Sequence, residues 1–516
     1  MQTLHSPIQA AQWLRQHVTG VLCTDSRAVK AGDAFIAWPG AATDGRAYVT
    51  SALGKGASAC LLEAQGSDQW TQEWLNTLAH APAQLATYVG LKADTGWIAD
   101  AYYEQPSQAL KVMAVTGTNG KTSCTWWLAQ ALNTLNATTR QTRCAVVGTL
   151  GVGEPPHLVS TGMTTPDPVL LQAQFQNFVS AGVTHCAIEA SSIGIAEQRL
   201  AGTRIQLAVF TNFTQDHLDY HGSMAAYWQA KEALFAWPDL QVAVVNVDDA
   251  HGAQLAEDLH ARQTTDLWTC SSQGKPARLQ ALNLQRTAAG MAFDVKEADQ
   301  LLHLQTRLMG DYNVDNLLGV MAALRALDVP LVKVLEVCAS LQAVPGRMEK
   351  VAGVDGLALP LTVVDYAHTP DAVAQTLATL KRVAQDLGSQ LWCVLGCGGD
   401  RDASKRPMMA AAAESAADHV VLTSDNPRTE SPAAIVQDML KGLKAPQAVH
   451  QELDRQKAIA HVVMQASAHD VILIAGKGHE VTQEIAGVKH PFDDRLQAQR
   501  ALLERARRLT TQEARP

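Results

Sequence analysis

The 516-residue sequence predicts an α/β protein of three domains, and three observations carry that expectation. Apolar, β-branched runs alternate with helix-prone segments along most of the chain, the pattern of largely parallel sheets covered by helices. The length exceeds what one hydrophobic core supports, so several cores are needed. Two breaks, EQPSQ after residue 103 and AVPGRME beginning at residue 343, interrupt the alternation. The domains expected from them are a small N-terminal one at 1–105, a central nucleotide-binding one at 106–343 and a C-terminal α/β one at 344–516.

The elements follow in order. AFIAW and ACLLEA, between glycine turns, are short strands of the first unit. KVMAVTG is a strand, CTWWLAQALNTL a helix, and THCAIEASS, IQLAVFTNFT and QVAVVNVDD are further strands of a mostly parallel central sheet. LTVVDYA, LWCVLGCGG, HVVLTSDNP and DVILIAGKG open a second, Rossmann-like series, each strand ending in a polar or glycine-rich loop. MMAAAAESAAD is an alanine-rich helix between two of them.

Composition narrows the class. A net charge of -9, spread without long acidic or basic blocks, argues against nucleic acid or an anionic membrane as the main partner. The N-terminus lacks the basic and apolar regions of a secretory signal, and no apolar run reaches the roughly 18 residues of a membrane span. Nine cysteines without a C-x-x-C pair, Cys393 and Cys397 being the nearest approach, suggest reduced thiols in a cytoplasmic protein.

Residues 115–123, VTGTNGKTS, sit between a strand and a helix. The strict phosphate-loop pattern places a glycine where Val115 stands, yet the physics remains. Gly117 and Gly120 permit a tight turn that aims backbone N–H groups at phosphate oxygens, and the helix adds its positive end. Lys121 supplies a mobile charge, and the Thr122 hydroxyl is a suitable small ligand for Mg²⁺. Glu189 and His217, each just past an apolar run, are compatible with a divalent metal nearby, because ligands collect at the carboxyl ends of parallel strands. The alternative for these positions is a glycine-containing strand-to-helix turn with a surface lysine, and Glu and His residues that are satisfied structurally at their strand ends, the commoner role for either taken alone.

Taken together, GTNGKTS, MTTP, EASS, DHLDYHG with AKEALF, GDYNVDN, PGRME, DYAHTPD, GCGGDRD, DNPR and GKGHE, with TDSRAVKAGDAFIA near the start, resemble the motifs of the Mur ligases of peptidoglycan synthesis over nearly the whole chain. The most similar branch adds the third residue of the stem peptide, and DNPR is its version for meso-diaminopimelate rather than lysine. The resemblance implies ATP and Mg²⁺ as cofactors and an acyl-phosphate route from UDP-N-acetylmuramoyl-L-alanyl-D-glutamate. It also implies a role in cell-wall formation, shape and division, and a monomer. A folylpolyglutamate synthase-like ligase, a lysine-adding ligase and a P-loop ATPase that ligates nothing are the competing readings.

By the same resemblance, Gly117, Thr118, Asn119, Gly120, Lys121, Thr122 and Ser123 hold the ATP phosphates, Asn313 and Asn316 meet adenine, and Arg347 and Asp365 reach phosphate and ribose. Thr122, Glu189 and His217 surround the metal with Lys231, which matches a carbamylated lysine. Lys121, Lys231, Glu189 and His217 form the catalytic set. Ser26 resembles a uridine contact of the N-terminal domain, and Thr164, Thr165, Ser191, Glu197 and Arg199 contacts to the muramoyl peptide. Arg401, Asp425, Asn426, Pro427, Arg428, Gly476 and Glu480 resemble the diaminopimelate site. Read without the family, the asparagines are helix caps, Lys231 a solvated lysine, Ser26 part of a surface turn, and Arg428 a cap or surface ion-pair partner. Three positions depart from the family, which often has Asn at Met163, His at Ile193 and Gln at Glu197. An extra carboxylate at Glu197 repels an anionic substrate unless it is protonated, turned away or paired with Arg199, and Gln198 is a substitute for it.

Overall fold

The computed structural model describes residues 2–40, 43–78, 83–139, 142–287, 290–354 and 356–513. They build three α/β sheets in succession and one small hairpin.

The first sheet has five strands, all parallel, in the order Gln2–Leu4, Gln84–Tyr88, Ala59–Glu63, Ala34–Ala37, Leu22–Cys23. AFIA and ACLLE are buried along their full length, as continuous apolar runs must be when helices cover both faces. Glu63 closes its strand by accepting the N–H groups of Gly90 and Leu91, the entry to the helix Leu91–Tyr102.

The central sheet has eleven strands, with parallel pairing from the strand Leu279–Thr287 inward to Cys144–Gly148 and antiparallel margins on both sides. The strand Lys111–Thr116 lies in its middle, between Ile205–Phe210 and His185–Glu189. Successive connections therefore leave this strand toward opposite sides, which opens a crevice at its carboxyl end. The helix Lys121–Thr139 packs there through Trp127, Leu128 and Leu132, and Trp127 also donates from its indole to the Gln342 carbonyl. Each such buried apolar side chain is worth about 1.5–3 kcal/mol. The margins were not foreseen: Gly290–Glu297 and Gln300–Thr306 fold back as an antiparallel ribbon where the sequence reading has no strands.

The third sheet has six strands, parallel except for Glu349–Lys350 at one edge. LTVVD, LWCVLGC, HVVLTS and VILIA are its core strands, and the alanine-rich helix forms over Lys405–Ala416. Arg455, wholly buried, pairs through two nitrogens with Asp494 at 2.7 Å and donates to the carbonyls of Ser424 and Ala475. Those carbonyls end the two strands that lead into DNPR and GKGHE, so one guanidinium braces both loops from below. Beside them stands the two-stranded ribbon Thr482–Ile485 with Val488–Pro491.

Candidate functional site

The glycines of GTNGKTS have no room for a side chain. Gly117 stands at φ 148° with a Cβ position 1.9 Å from Thr211 Oγ1, and Gly120 at φ 87° with one 2.2 Å from Asn316 Oδ1. The turn is pinned from the neighbouring strand end: Asn119 N donates to Asn212 Oδ1 at 2.9 Å, and Thr211 Oγ1 donates to the Asn119 carbonyl at 2.6 Å. Lys121 folds back to the carbonyls of Gly117 and Thr118 at 2.8 and 2.9 Å, across the mouth of the loop. Ser123 follows, buried, in the first turn of the helix.

Thr122 and Glu189 are in contact, the hydroxyl donating to Glu189 Oε2 at 3.1 Å. Thr149, a residue the sequence reading missed, gives the same carboxylate its N–H at 2.8 Å and its hydroxyl at 3.1 Å. Arg347 reaches in from the third sheet to Thr122 Oγ1 at 3.3 Å, stacks its guanidinium 4.3 Å over the Tyr366 ring, and keeps its Nε buried without a partner among the described residues. That orphaned donor beside the phosphate loop is suited to an anionic oxygen.

Lys231 is not a solvated lysine. It is 1% exposed, donates to the Gly117 carbonyl at 2.7 Å, and lies 4.5 Å above the Tyr227 ring. Burial, reinforced by the charge of Lys121, holds its pKa well below the ordinary lysine value, against the opposing pull of Asp216. His217 flanks the same tyrosine with ring centres 6.0 Å apart, in a left-handed backbone conformation at φ 51°. Burial lowers its pKa to about 4, with Lys121, Lys231 and Lys405 adding to the effect. Asp216 holds the neutral ring at 3.5 Å, accepts the His217 N–H at 2.8 Å, and is paired with Lys405 of the third sheet's domain.

The donors suit a hard cation: a hydroxyl and a carboxylate in contact, and a neutral imidazole across the crevice. Among the described residues no three His, Cys, Asp or Glu side chains converge.

Asn313 and Asn316 are buried in the first turns of the helix Asp311–Ala326, whose N-cap is Gly310 with no side-chain cap bond. They are not capping residues. Asn313 donates to the Met309 carbonyl at 2.6 Å and accepts from Asn316 Nδ2 at 3.1 Å. Asn313 and Arg347 line a cavity of about 500 Å³ with Trp127, Met309, Gln342 and Met348. Asp365 turns elsewhere, accepting the N–H groups of Met348 and Ala367 at 2.7 and 2.8 Å and so fixing the segment that carries Arg347. Asn119 touches Asp371 of the third sheet's domain at 3.3 Å.

On the other side, Thr164 meets Thr149 at 3.0 Å and Thr165 meets Ser191 at 2.9 Å, while Thr165 Oγ1 donates to the Glu189 carbonyl. Arg199 donates to the Thr165 carbonyl at 2.9 Å and touches Met163 Sδ at 3.6 Å. Glu197 is neither free nor held mainly by Arg199: Lys92 of the first sheet's domain pairs with it at 2.6 Å, and Tyr220 donates to its other oxygen. Burial alone raises its pKa, but those two donors outweigh it and keep the carboxyl below its usual range. Gln198 takes a left-handed turn at φ 57°. Ser26 is buried with its carbonyl accepting from Lys55 at 3.0 Å, while Arg27 beside it is an exposed partner of Asp25.

The loops at the ends of the third sheet's strands form a second cluster. Arg428, at φ 52°, donates to the Gly399 carbonyl at 2.6 Å, and a Cβ on Gly398 would fall 3.1 Å from its Nη1 and 3.7 Å from Arg401 Cγ. Gly476, at φ 113°, lets Asp425 approach to 2.5 Å of where its Cβ would be. Asn426 donates to Glu480 Oε2 at 2.6 Å, and the Pro427 carbonyl accepts the Glu430 N–H at 2.9 Å. Arg428 and Arg401 thus both lie against Gly398, and Glu480 is tied to the DNPR loop through Asn426. Lys477, which holds this cluster together, was not among the residues singled out from the sequence.

Known proteins agree with this layout. The Mur ligase family catalytic domain matches residues 17–92, the Mur ligase middle domain residues 115–324, and the Mur ligase glutamate ligase domain residues 346–478. A protein of Acidovorax sp. (strain JS42), named UDP-N-acetylmuramoyl-L-alanyl-D-glutamate--2,6-diaminopimelate ligase, is 56% identical over 98% of this chain and 99% of its own. A solved structure of a ligase with the same name superposes with a TM-score of 0.63 at 36% identity, covering 94% of this chain and 95% of the other. A MurF ligase from Thermotoga maritima in complex with ADP shares the fold, with a TM-score of 0.62 at 17% identity over 96% of this chain and 99% of its own. With three domains matched in order and a relative similar from end to end, the chain belongs to the Mur ligase family.

Proposed function

We propose that this protein is the ATP-dependent ligase that joins meso-diaminopimelate to UDP-N-acetylmuramoyl-L-alanyl-D-glutamate in peptidoglycan precursor synthesis. The observation that carries the reading is the 56% identity, over 98% of the chain, to a relative bearing that name. It matches a site with two halves, a phosphate loop at the carboxyl end of the central sheet and a cluster holding Arg401, Arg428 and Glu480 at the ends of the third sheet's strands.

A carboxylate resists nucleophiles because its charge repels them. An oxygen of the D-glutamate side-chain carboxylate attacks the γ-phosphorus of ATP, the bond to the β-phosphate oxygen breaks, and ADP leaves. The neutral amine of diaminopimelate then attacks the acyl carbon, the carbon–oxygen bond to phosphate breaks, and the amine loses a proton. Both steps gather anions, so catalysis is mainly positioning and charge neutralisation. Lys121 is set at the loop mouth for the first step, and Arg347 brings a second cation when the C-terminal domain stands against the central one. Asn313 and Asn316 border the adenine end, and Asp365 holds the strand end next to the ribose. Thr164, Thr165, Ser191 and Arg199 orient the muramoyl peptide, and Ser26 the uridine.

Thr122, Glu189, His217 and a carbamylated Lys231 would hold Mg²⁺, which when bound screens the phosphate charge. The depressed pKa of Lys231 supports the modification, since only a neutral amine adds to CO₂, losing a proton as the N–C bond forms. Arg401 and Arg428 clamp the distal carboxylate of diaminopimelate and Glu480 its ammonium. The reading carries with it a monomer in the cytoplasm, where ATP is available and the nine free thiols stay reduced.

Mass analysis of the product tests it. Incubation with the UDP-muramoyl dipeptide, ATP and either diaminopimelate or lysine should yield the tripeptide only with diaminopimelate. ATP hydrolysis at full rate without dipeptide and amino acid, and with no adduct, overturns the reading.

A further inference from the structure

The deepest cation of the second cluster is Lys477, 0% exposed, where Arg428 and Glu480 keep 23% and 29% of their side chains exposed. A lysine ammonium has three donors and no acceptor, and all three are used here. They go to Asn426 Oδ1 at 3.1 Å, Glu480 Oε2 at 2.8 Å and the Thr482 carbonyl at 2.6 Å. The Glu484 N–H, from the neighbouring ribbon, also donates to Asn426 Oδ1, at 3.0 Å. Two donors on one side of the Asn426 amide fix its orientation, because the reverse orientation would set an NH₂ against an ammonium and an N–H. The Asn426 Nδ2 is thereby aimed at Glu480 Oε2, 2.6 Å away. Glu480 Oε2 then receives two donors, whereas no described donor reaches Oε1, and the side chain is 29% exposed.

We propose that Lys477 is a positioning residue for the amino-acid substrate: it locks Asn426 and Glu480 in one arrangement so that a single carboxylate oxygen, Glu480 Oε1, is presented to the incoming ammonium group. This rests on the reading of the cluster as the diaminopimelate site. The ammonium of Lys477 itself is sealed from the ligand, so it acts only through its two partners. Its attachment to Thr482 extends the lock to the ribbon Thr482–Ile485, which grips the DNPR loop where Arg428 N donates to the Glu484 carbonyl at 3.0 Å. Pre-fixing a three-torsion glutamate lowers the ordering cost of binding, so the loss appears in substrate affinity.

The test measures KM for each of the three substrates in wild type, Lys477→Met, Lys477→Arg, Glu480→Gln and the double variant Lys477→Met with Glu480→Gln. Lys477→Met should raise KM for diaminopimelate about thirtyfold, the lower end of what one lost partner of a desolvated charge pair costs. KM for ATP and for the UDP-muramoyl dipeptide should stay within about twofold, as expected for sites with no shared partners. The double variant should be no worse than Glu480→Gln alone, since Lys477 works through Glu480. Lys477→Arg keeps the charge and is the variant to use if the methionine form does not fold; its fork cannot meet the same three acceptors, so it too should raise the diaminopimelate KM selectively. A wild-type diaminopimelate KM in whichever variant folds, fully multiplicative effects in the double variant, or a joint rise of all three KM values with a lowered melting midpoint overturns the inference. A wild-type enzyme that does not join diaminopimelate at all sinks instead the functional reading on which it rests.

Discussion

Replacing Gly120 with alanine tests whether the phosphate loop is built as the structure implies. The backbone there is at φ 87°, a conformation that costs an L side chain about 1–2 kcal/mol. The new Cβ would also fall 2.2 Å from Asn316 Oδ1. Ordinary van der Waals contact begins at about 3.4 Å, so the amide must retreat by about 1.2 Å. Asn316 is buried and bonded to Asn313 Oδ1 at 3.1 Å, and losing that bond costs about 1 kcal/mol more. If the loop escapes this cost of about 2–3 kcal/mol by leaving its nucleotide-ready shape, affinity falls by about 30- to 150-fold. Calorimetric titration with a non-hydrolysable ATP analogue reads that loss, and a melting curve reports any cost borne by the fold instead. Gly388→Ala is the control: its φ is 61° but its Cβ would meet nothing within 4 Å, so it isolates the backbone contribution away from the crevice. Wild-type stability and analogue affinity in Gly120→Ala, or an equal loss of affinity in Gly388→Ala, would refute the reasoning.

Lys231→Ala should nearly abolish ligation, with partial recovery on adding short carboxylates that stand in for the carbamate oxygens; ordinary turnover at ordinary Mg²⁺ would eliminate the carbamate role. Arg428→Ala should weaken diaminopimelate use by about 2–5 kcal/mol, the range for a desolvated charge pair losing one member, without creating lysine use. Unchanged preference in both Arg428→Ala and Arg428→Lys, measured with the two amino acids side by side, would place the selecting group elsewhere. Stability should fall as pH drops from about 6.5 toward 4, in part through His185, whose pKa burial lowers to about 4, with Lys111 adding. Between those values the unfolded histidine binds a proton that the folded one refuses, so stability is present above about 6.5 and is lost as pH falls, up to about 3 kcal/mol. Urea unfolding of His185→Gln across that range should show a shallower slope; an unchanged slope would clear His185 of the effect.

Much of this protein is legible in its sequence because the information is local. Continuous apolar runs such as KVMAV and VILIA form strands wherever helices cover both faces, and Gly117 and Gly120 announce a turn that no other residue type can make. The polar residues after those runs fall at strand carboxyl ends, which brings Thr122 to Glu189 and Arg401 near Arg428 as the motifs imply. Local pattern says nothing of the ribbon at Gly290–Glu297 and Gln300–Thr306, whose strands form by pairing with each other rather than from a strong periodic signal of their own. Nor does it reveal partners distant in the chain. Thr149 against Glu189, Lys92 against Glu197, Lys405 against Asp216, and the Arg455 brace beneath two loops are choices made when domains and loops meet. Protonation belongs to the same class. Lys231 and Lys477 are both lysines in motif segments, yet one is buried above a tyrosine with its pKa pushed down, and the other is sealed with all three donors bonded to Asn426, Glu480 and Thr482. The sequence determined the fold class and the family, because strand pattern and turn chemistry act over a few residues. Burial, pairing and charge state were decided by tertiary structure, because desolvation and Coulomb interactions depend on neighbours in space.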